Sequence, residues 1–260
     1  MRIKKVRGMD EQGAVSRRLR RLRRRDYYCV IALDHGMSFG PLPGIESLPE
    51  MHTLCEDLSA AGIPAVVLNT GAIKQVQPAE QLTLVAQLIG MPLQAKVRLR
   101  RVPLWTPLTA LSYGADAVSV QIGVGESDLA LGVASITQIV DDAHKLGLPV
   151  LLMINTASWS SIDDFAATVR AFSELGVDLI KVSPGQYLHG LARTGVTGIG
   201  APLLYPGGEA TNEFGDNVKL AAQAGYAGVC VGRNVFQSES KKLNHIVEML
   251  DRAFLEDAVQ

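Results

Sequence analysis

No apolar run in this 260-residue chain approaches the roughly 20 residues a membrane-spanning helix needs, so its 47% hydrophobic content must build a folded core. Cysteine is scarce. Cys29, Cys55 and Cys230 are odd in number and set in apolar surroundings, which excludes a disulfide framework and indicates reduced thiols, as in the cytoplasm. Metal-ligand groupings are missing too: His52 and Cys55 have helical spacing, but no second pair completes a tetrahedral site. The chain has no Walker loop, GxSxG elbow or dinucleotide fingerprint, so it offers none of the usual signatures of nucleoside triphosphate, serine-hydrolase or NAD chemistry. Neither metal nor cofactor is expected. With no linker, low-complexity tract or second compositional block, one large α/β domain suits the length.

A net charge of −1 conceals an asymmetry, because Arg17, Arg18, Arg20, Arg21, Arg23, Arg24 and Arg25 are crowded into nine positions. Such a run invites a nucleic-acid reading. Val15, Leu19 and Leu22, however, are spaced like one face of an amphipathic helix with the arginines around it, which favours packing on the domain body or on a neighbouring subunit. The twin arginines also resemble an export signal, but the apolar run that follows is short and ends at Asp34. Residues 1–27 are therefore read as a basic helical arm and 28–260 as the catalytic domain, with no nucleic-acid or membrane partner.

Past the arm, short apolar segments alternate with helical ones. Strands are expected over 28–33, 65–68, 93–97, 117–122, 149–154, 177–182, 201–205 and 228–231, and helices include 81–88, 127–146 and 212–224. Strands without polar alternation imply a parallel sheet buried on both faces, and eight β/α units fit a TIM (β/α)8 barrel. A doubly wound sheet is the runner-up.

The stretch around 177–185 carries the chemistry. Lys181 lies in the middle of a buried strand, and a desolvated amine escapes its cost by shedding the proton, which makes it a nucleophile toward carbonyls. A lysine paired with a strand-end carboxylate is the competing reading. Asp34, at another strand end, suits proton transfer at a substrate hydroxyl, and His35 beside it suits a loop-pinning hydrogen bond. Glycines follow the last two strands: Gly207 and Gly208, then Gly232 with Arg233. Those are the loops in which TIM barrels hold phosphate, with backbone N–H groups, a helix start and here an arginine.

Taken together, residues 33–36 with Gly40, Pro41 and Gly44, then 115–120, 178–181, 207–208 and 231–237, resemble the archaeal-type class I aldolase family in the same order. The resemblance runs from about residue 30 to 237. It implies a Schiff base between Lys181 and a phosphorylated ketose or dihydroxyacetone phosphate, with Asp34 moving the hydroxyl proton. It further implies that Gly207, Gly208, Gly232 and Arg233 cradle the phosphate, and that the chain forms a homo-oligomer, often decameric in relatives.

Two departures qualify this. The family's aldolases and heptulosonate synthases carry a Met-Tyr-Pro type segment at the end of the fifth strand, its tyrosine serving as general acid/base, whereas Asn155 stands there in this chain. An amide bonds but does not shuttle protons near neutral pH. Gln121 and Gly123 replace the His and Asn common on the fourth strand. Tyr205, at the end of strand seven, is the substitute acid that position suggests. A thiolase or transferase of the same family, whose thiolase branch also lacks the tyrosine, and a non-catalytic phosphosugar-binding barrel are the alternatives. Lys96 is the reserve nucleophile, and a pyridoxal phosphate role for Lys181 is disfavoured for want of a pyridinium partner.

Overall fold

The computed structural model describes residues 13–76, 81–91, 101–125, 129–155, 158–237 and 243–256. Eight strands, β1 (Tyr27–Ala32), β2 (Ala65–Asn69), β3 (Thr83–Gln87), β4 (Ala117–Gly123), β5 (Val150–Asn155), β6 (Leu179–Val182), β7 (Leu203–Tyr205) and β8 (Gly228–Val231), follow one another around the sheet. Each pairs in parallel with the next, and β8 pairs with β1 through Gly228–Tyr28 to Val231–Ile31. Closure leaves no edge, which removes the doubly wound alternative and makes the fold a TIM barrel.

The longer helices among the described residues are α1 (Ala14–Arg21), α2 (Leu48–Ala60), α3 (Thr70–Val76), α4 (Pro107–Ser112), α5 (Leu129–Lys145), α6 (Ile162–Ser173), α7 (Leu188–Thr194), α8 (Phe214–Gln223) and α9 (Leu243–Asp251). Local chemistry sets their starts. Ser47 and Glu50 form a capping box at α2, and the Ser161 hydroxyl accepts from the Asp164 amide at α6.

Strand alternation sorts the core into two layers. Tyr28, Val30, Ala32, Val67, Val85, Leu151, Met153, Leu179, Leu204 and Cys230 fill the barrel. Their neighbours, such as Ile31, Leu68, Leu152 and Val229, meet the helices through Leu58, Ile136, Phe165 and Val218.

One strand is not where periodicity put it. The third barrel strand is Thr83–Gln87, inside the stretch read as a helix over 81–88, while 93–97 lies outside the described residues, as does Lys96. A strand buried on both faces carries no period-2 signature, so 82–88 reads equally as helix from pattern alone. Five parallel register pairs with β2, from Ala65–Thr83 to Asn69–Gln87, decide for strand.

The basic arm closes the floor of the barrel. Leu22 is 1% exposed and packs with Tyr28 and Ala65 in the interior layer, and Leu19 leans on the same cluster. Burying Leu22 contributes about 1.5–3 kcal/mol. The arginines are tied to the body: Arg18 donates to the carbonyls of Leu146 and Gly147 after α5, and Arg21 pairs with Asp116 at 2.6 Å. Arg24 grips Asp251 through two bonds of 3.0 and 2.9 Å. Residues 23–24 add a two-residue strand antiparallel to β1.

At the same end of the barrel, Asp178 accepts from the Val150 amide at 2.8 Å and from His144 at 2.9 Å. The Asp178 bond raises His144 above its usual 6.5, against a smaller lowering by burial. A folded-state value above the unfolded one means that this contact stabilises fully below about pH 6.5 and fades as pH climbs through the raised value. Wild type and His144→Gln should therefore differ in Tm at about pH 6 and converge by about pH 9. Parallel melting curves across that range would show that the charge is not what the pair contributes.

Candidate active site

Register and alternation determine which side chains enter the barrel mouth. Because Leu179, Leu151, Ala117, Val85, Val67 and Ala32 point inward, so do the residues two or four further along: Lys181, Asn155, Gln121, Gln87, Asn69 and Asp34. All lie at the C-terminal ends of the strands, where TIM barrels carry their chemistry.

Lys181 is half-buried, and among the described residues no carboxylate lies within ion-pair distance of its amine. The reading of a lysine consumed by a strand-end salt bridge therefore falls. Its neighbours in register are Met153 and Leu204.

Asp34 is held from two sides. Its Oδ2 accepts from Gln87 Nε2 at 3.0 Å, and its backbone carbonyl accepts from Asn69 Nδ2 at 2.9 Å. His35 sits beside it with Nδ1 3.9 Å from Asp34 Oδ1, beyond hydrogen-bond range. Its ring meets Phe236 edge-on at 5.2 Å. Burial lowers His35 below its ordinary value, with Lys181 and Arg233 adding to the effect and Asp34 opposing it.

Asn155 is exposed at the rim and donates to Gln121 Oε1 at 3.4 Å, while Gln121 Nε2 donates to the Ile89 carbonyl at 2.9 Å. The site thus has carboxamides on four consecutive strands, at Asn69, Gln87, Gln121 and Asn155. Asn69 and Gln87 were not singled out from sequence. A polar residue ending an apolar strand is the signal for both, and for Gln87 the helix reading of its segment hid it.

The β7 and β8 loops lie side by side. Gly207 and Gly208 have φ of +73° and +69°, and a Cβ at Gly207 would meet Val231 at 3.0 Å and both Asn234 and Phe214 at 3.1 Å. Asn234 clamps the two loops: Nδ2 donates to the carbonyls of Gly207 and Glu209, and Oδ1 accepts from the Thr211 amide. At Gly232 a Cβ would lie 2.6 Å from the His35 ring and 2.9 Å from the Ala32 carbonyl oxygen, so only glycine fits. Arg233 donates to Glu209 at 3.2 Å, a partner 82% exposed, and its buried Nε has no hydrogen-bond partner among the described residues. A cavity of about 270 Å³ opens here, lined by His35, Phe39, Leu42, Glu209, Ala210, Arg233 and Gln237.

Tyr205 does not join this site. Leu204 is the inward residue of β7, so the next one faces the helices, and the Tyr205 ring packs edge-on against Tyr226 at 6.0 Å in the outer layer. One residue of strand register separates the expected acid from the barrel mouth. A Tyr205→Phe variant should keep turnover within about two-fold, against the 10²–10⁴-fold loss typical of a removed acid/base. A loss of that larger size would return the residue to the mechanism.

Comparison with known proteins agrees with this geometry. Over 86% of its length the chain is 30% identical to the 2-amino-3,7-dideoxy-D-threo-hept-6-ulosonate synthase 1 of Archaeoglobus fulgidus, covering 85% of that protein. It is 27% identical to the 2-amino-4,5-dihydroxy-6-oxo-7-(phosphonooxy)heptanoate synthase of Streptomyces griseus, covering 86% of this chain and 85% of that one. Among solved structures, a Schiff-base-forming fructose-1,6-bisphosphate aldolase superposes with a TM-score of 0.78 at 25% identity, over 91% of this chain and 99% of the other. An archaeal fructose 1,6-bisphosphate aldolase, at 23% identity and a TM-score of 0.79, shares the fold over 91% of this chain and 98% of its own. The family model for DeoC/LacD aldolases matches residues 28–238, the span that runs from β1 to just past the β8 loop, and the chain belongs to that aldolase family.

Proposed function

We propose that this chain makes or breaks a carbon–carbon bond in a phosphorylated sugar or keto compound through a Schiff base on Lys181. The observation that carries the reading is an amine without an ion-pair partner among the described residues, at the barrel mouth, with the two glycine loops of β7 and β8 following its strand and Asp34 after the next. Gly207, Gly208, Gly232 and Arg233 are the phosphate-binding residues, the Arg233 guanidinium being partly exposed and held only by the exposed Glu209 among the described residues. The relatives' names support a donor of this kind, since one product is a 6-oxo-7-(phosphonooxy) compound, a ketone beside the phosphate-bearing carbon.

Lys181 gives up its ammonium proton, Nζ adds to the donor carbonyl, and that proton returns to the carbinolamine oxygen as it leaves as water. The iminium so formed is an electron sink; the same steps in reverse, with water re-entering, release the product. In the synthetic direction Asp34 takes a proton from the carbon beside the iminium, and the C–H electron pair moves into the new enamine. The enamine attacks the aldehyde, and Asp34 returns its proton to the oxygen that becomes the new hydroxyl. Cleavage is the reverse. With Asn155 unable to shuttle protons and Tyr205 facing the helices, Asp34 carries both of these transfers, at carbon and at the new hydroxyl.

The amide at Asn155 also favours a second reading, a transferase that uses the same lysine to hold its substrate. Borohydride trapping with dihydroxyacetone phosphate, read by intact mass and peptide mapping, tests the proposal. An adduct on Lys181, together with aldol product from supplied aldehydes, is expected. An adduct without carbon–carbon product but with acyl transfer to a thiol would give the transferase reading. Phosphate binding with no adduct from any keto phosphate would leave only a binding protein.

A further inference from the structure

Four hydrogen bonds join three of the mouth's carboxamides to Asp34 in one chain with a uniform direction. Asn155 Nδ2 donates to Gln121 Oε1 (3.4 Å), and Gln121 Nε2 to the Ile89 carbonyl (2.9 Å). The Ile89 amide donates to Gln87 Oε1 (3.4 Å), and Gln87 Nε2 to Asp34 Oδ2 (3.0 Å). Side-chain amide orientation is often a matter of assignment, because oxygen and nitrogen look alike. Ile89 removes that freedom: a backbone N–H can only donate and a backbone carbonyl can only accept. Gln87 must therefore turn its oxygen to Ile89 and its NH₂ to Asp34. It is 2% exposed, so water does not compete for either group.

We propose that Gln87 is the positioning residue for Asp34, a fixed donor oriented by the Ile89 backbone that holds the carboxylate in place as the site's proton acceptor. The inference rests on the Schiff-base reading of the site, but the contact itself is independent of it. A donor aimed at a carboxylate restricts its rotation and fixes which oxygen is left to face the site. Bond by bond the chain is modest, with two of its links long. Its consequence lies in the last link, where a neutral residue with no route to the substrate governs the group that moves the proton. Met153 Sδ, 3.7 Å from the same nitrogen, is a weak acceptor and leaves Asp34 the principal partner.

The test compares wild type, Gln87→Met and Gln87→Glu. Met keeps the length without a donor, and Glu keeps the shape while replacing the donor with an acceptor. With dihydroxyacetone phosphate deuterated beside the carbonyl as the probe, both variants should lose deuterium to solvent about 10–100-fold more slowly at saturation. Half-saturating concentration and borohydride-trapped adduct should stay within about two-fold, because Lys181 and the phosphate loops are untouched. Full washout in either variant, or a loss confined to half-saturation, would overturn the assignment. A substrate-free measurement stands beside it. The side-chain NH₂ resonances missing from the Gln87→Met spectrum should move in Asp34→Asn, and identical resonances would overturn the contact. Wild type that forms no adduct while those resonances do move would refute the Schiff-base reading and leave the Gln87–Asp34 contact established.

Discussion

Lys181→Met is expected to abolish the borohydride-trapped adduct and to lower turnover on the order of 10⁴-fold or more, since the variant loses the nucleophile itself. Folding should be little affected. Lys181 has no ion-pair partner among the described residues, so its removal strands no buried carboxylate, the circumstance that makes charge deletions costly. Methionine fills the same length beside Met153 and Leu204 with an unbranched apolar chain. Intact mass, circular dichroism and inorganic phosphate binding measured together separate the outcomes. A folded variant that binds phosphate, shows no adduct and does not turn over fits the proposal. Lys181→Arg should behave alike, because guanidinium keeps its proton and adds to no carbonyl. An adduct persisting in Lys181→Met would move the nucleophile elsewhere, with Lys96 the lysine to map first.

How far the sequence reached is visible residue by residue. Lys181, Asp34 and the β7 and β8 glycines were legible because each departs from its surroundings: a charge in an apolar strand, a carboxylate where a strand stops, glycines where a loop must approach something closely. Barrel closure was not, since eight β/α units say nothing about whether β8 meets β1; the Gly228–Tyr28 register does. Tyr205 was legible as a strand-end tyrosine but not as an outward one. Which face a three-residue strand presents depends on a register that pairing with β6 sets, through Leu204 opposite Lys181. Gln87 was lost with its strand, and with it the support of Asp34. The arginine run was readable as an amphipathic helix, yet its place under the barrel comes from long-range partners such as Asp251 that no local pattern indicates.

Asp34→Asn should separate the two halves of the chemistry. The asparagine oxygen still accepts from Gln87, so the side chain keeps its place while losing the capacity to take a proton near neutral pH. Adduct with dihydroxyacetone phosphate should persist, because imine formation belongs to Lys181. Deuterium washout and aldol turnover should fall about 10²–10⁴-fold. The size of that loss reports whether any other group shares the work. His35 is the obvious understudy by proximity, but its ring packs edge-on against Phe236 with Nδ1 3.9 Å from the carboxylate. Tyr205 is on the far side of its strand, and Asn155 is an amide. A loss below ten-fold would mean that one of these arguments fails and that a second proton carrier operates. Adding Asn155→Tyr to Asp34→Asn then tests the converse. Restoring a phenol at the position where family members carry their tyrosine should recover part of the washout if the missing function is proton transfer alone. No recovery, with the adduct intact, would mean that the carboxylate's charge beside the iminium, and not only its basicity, sustains the reaction.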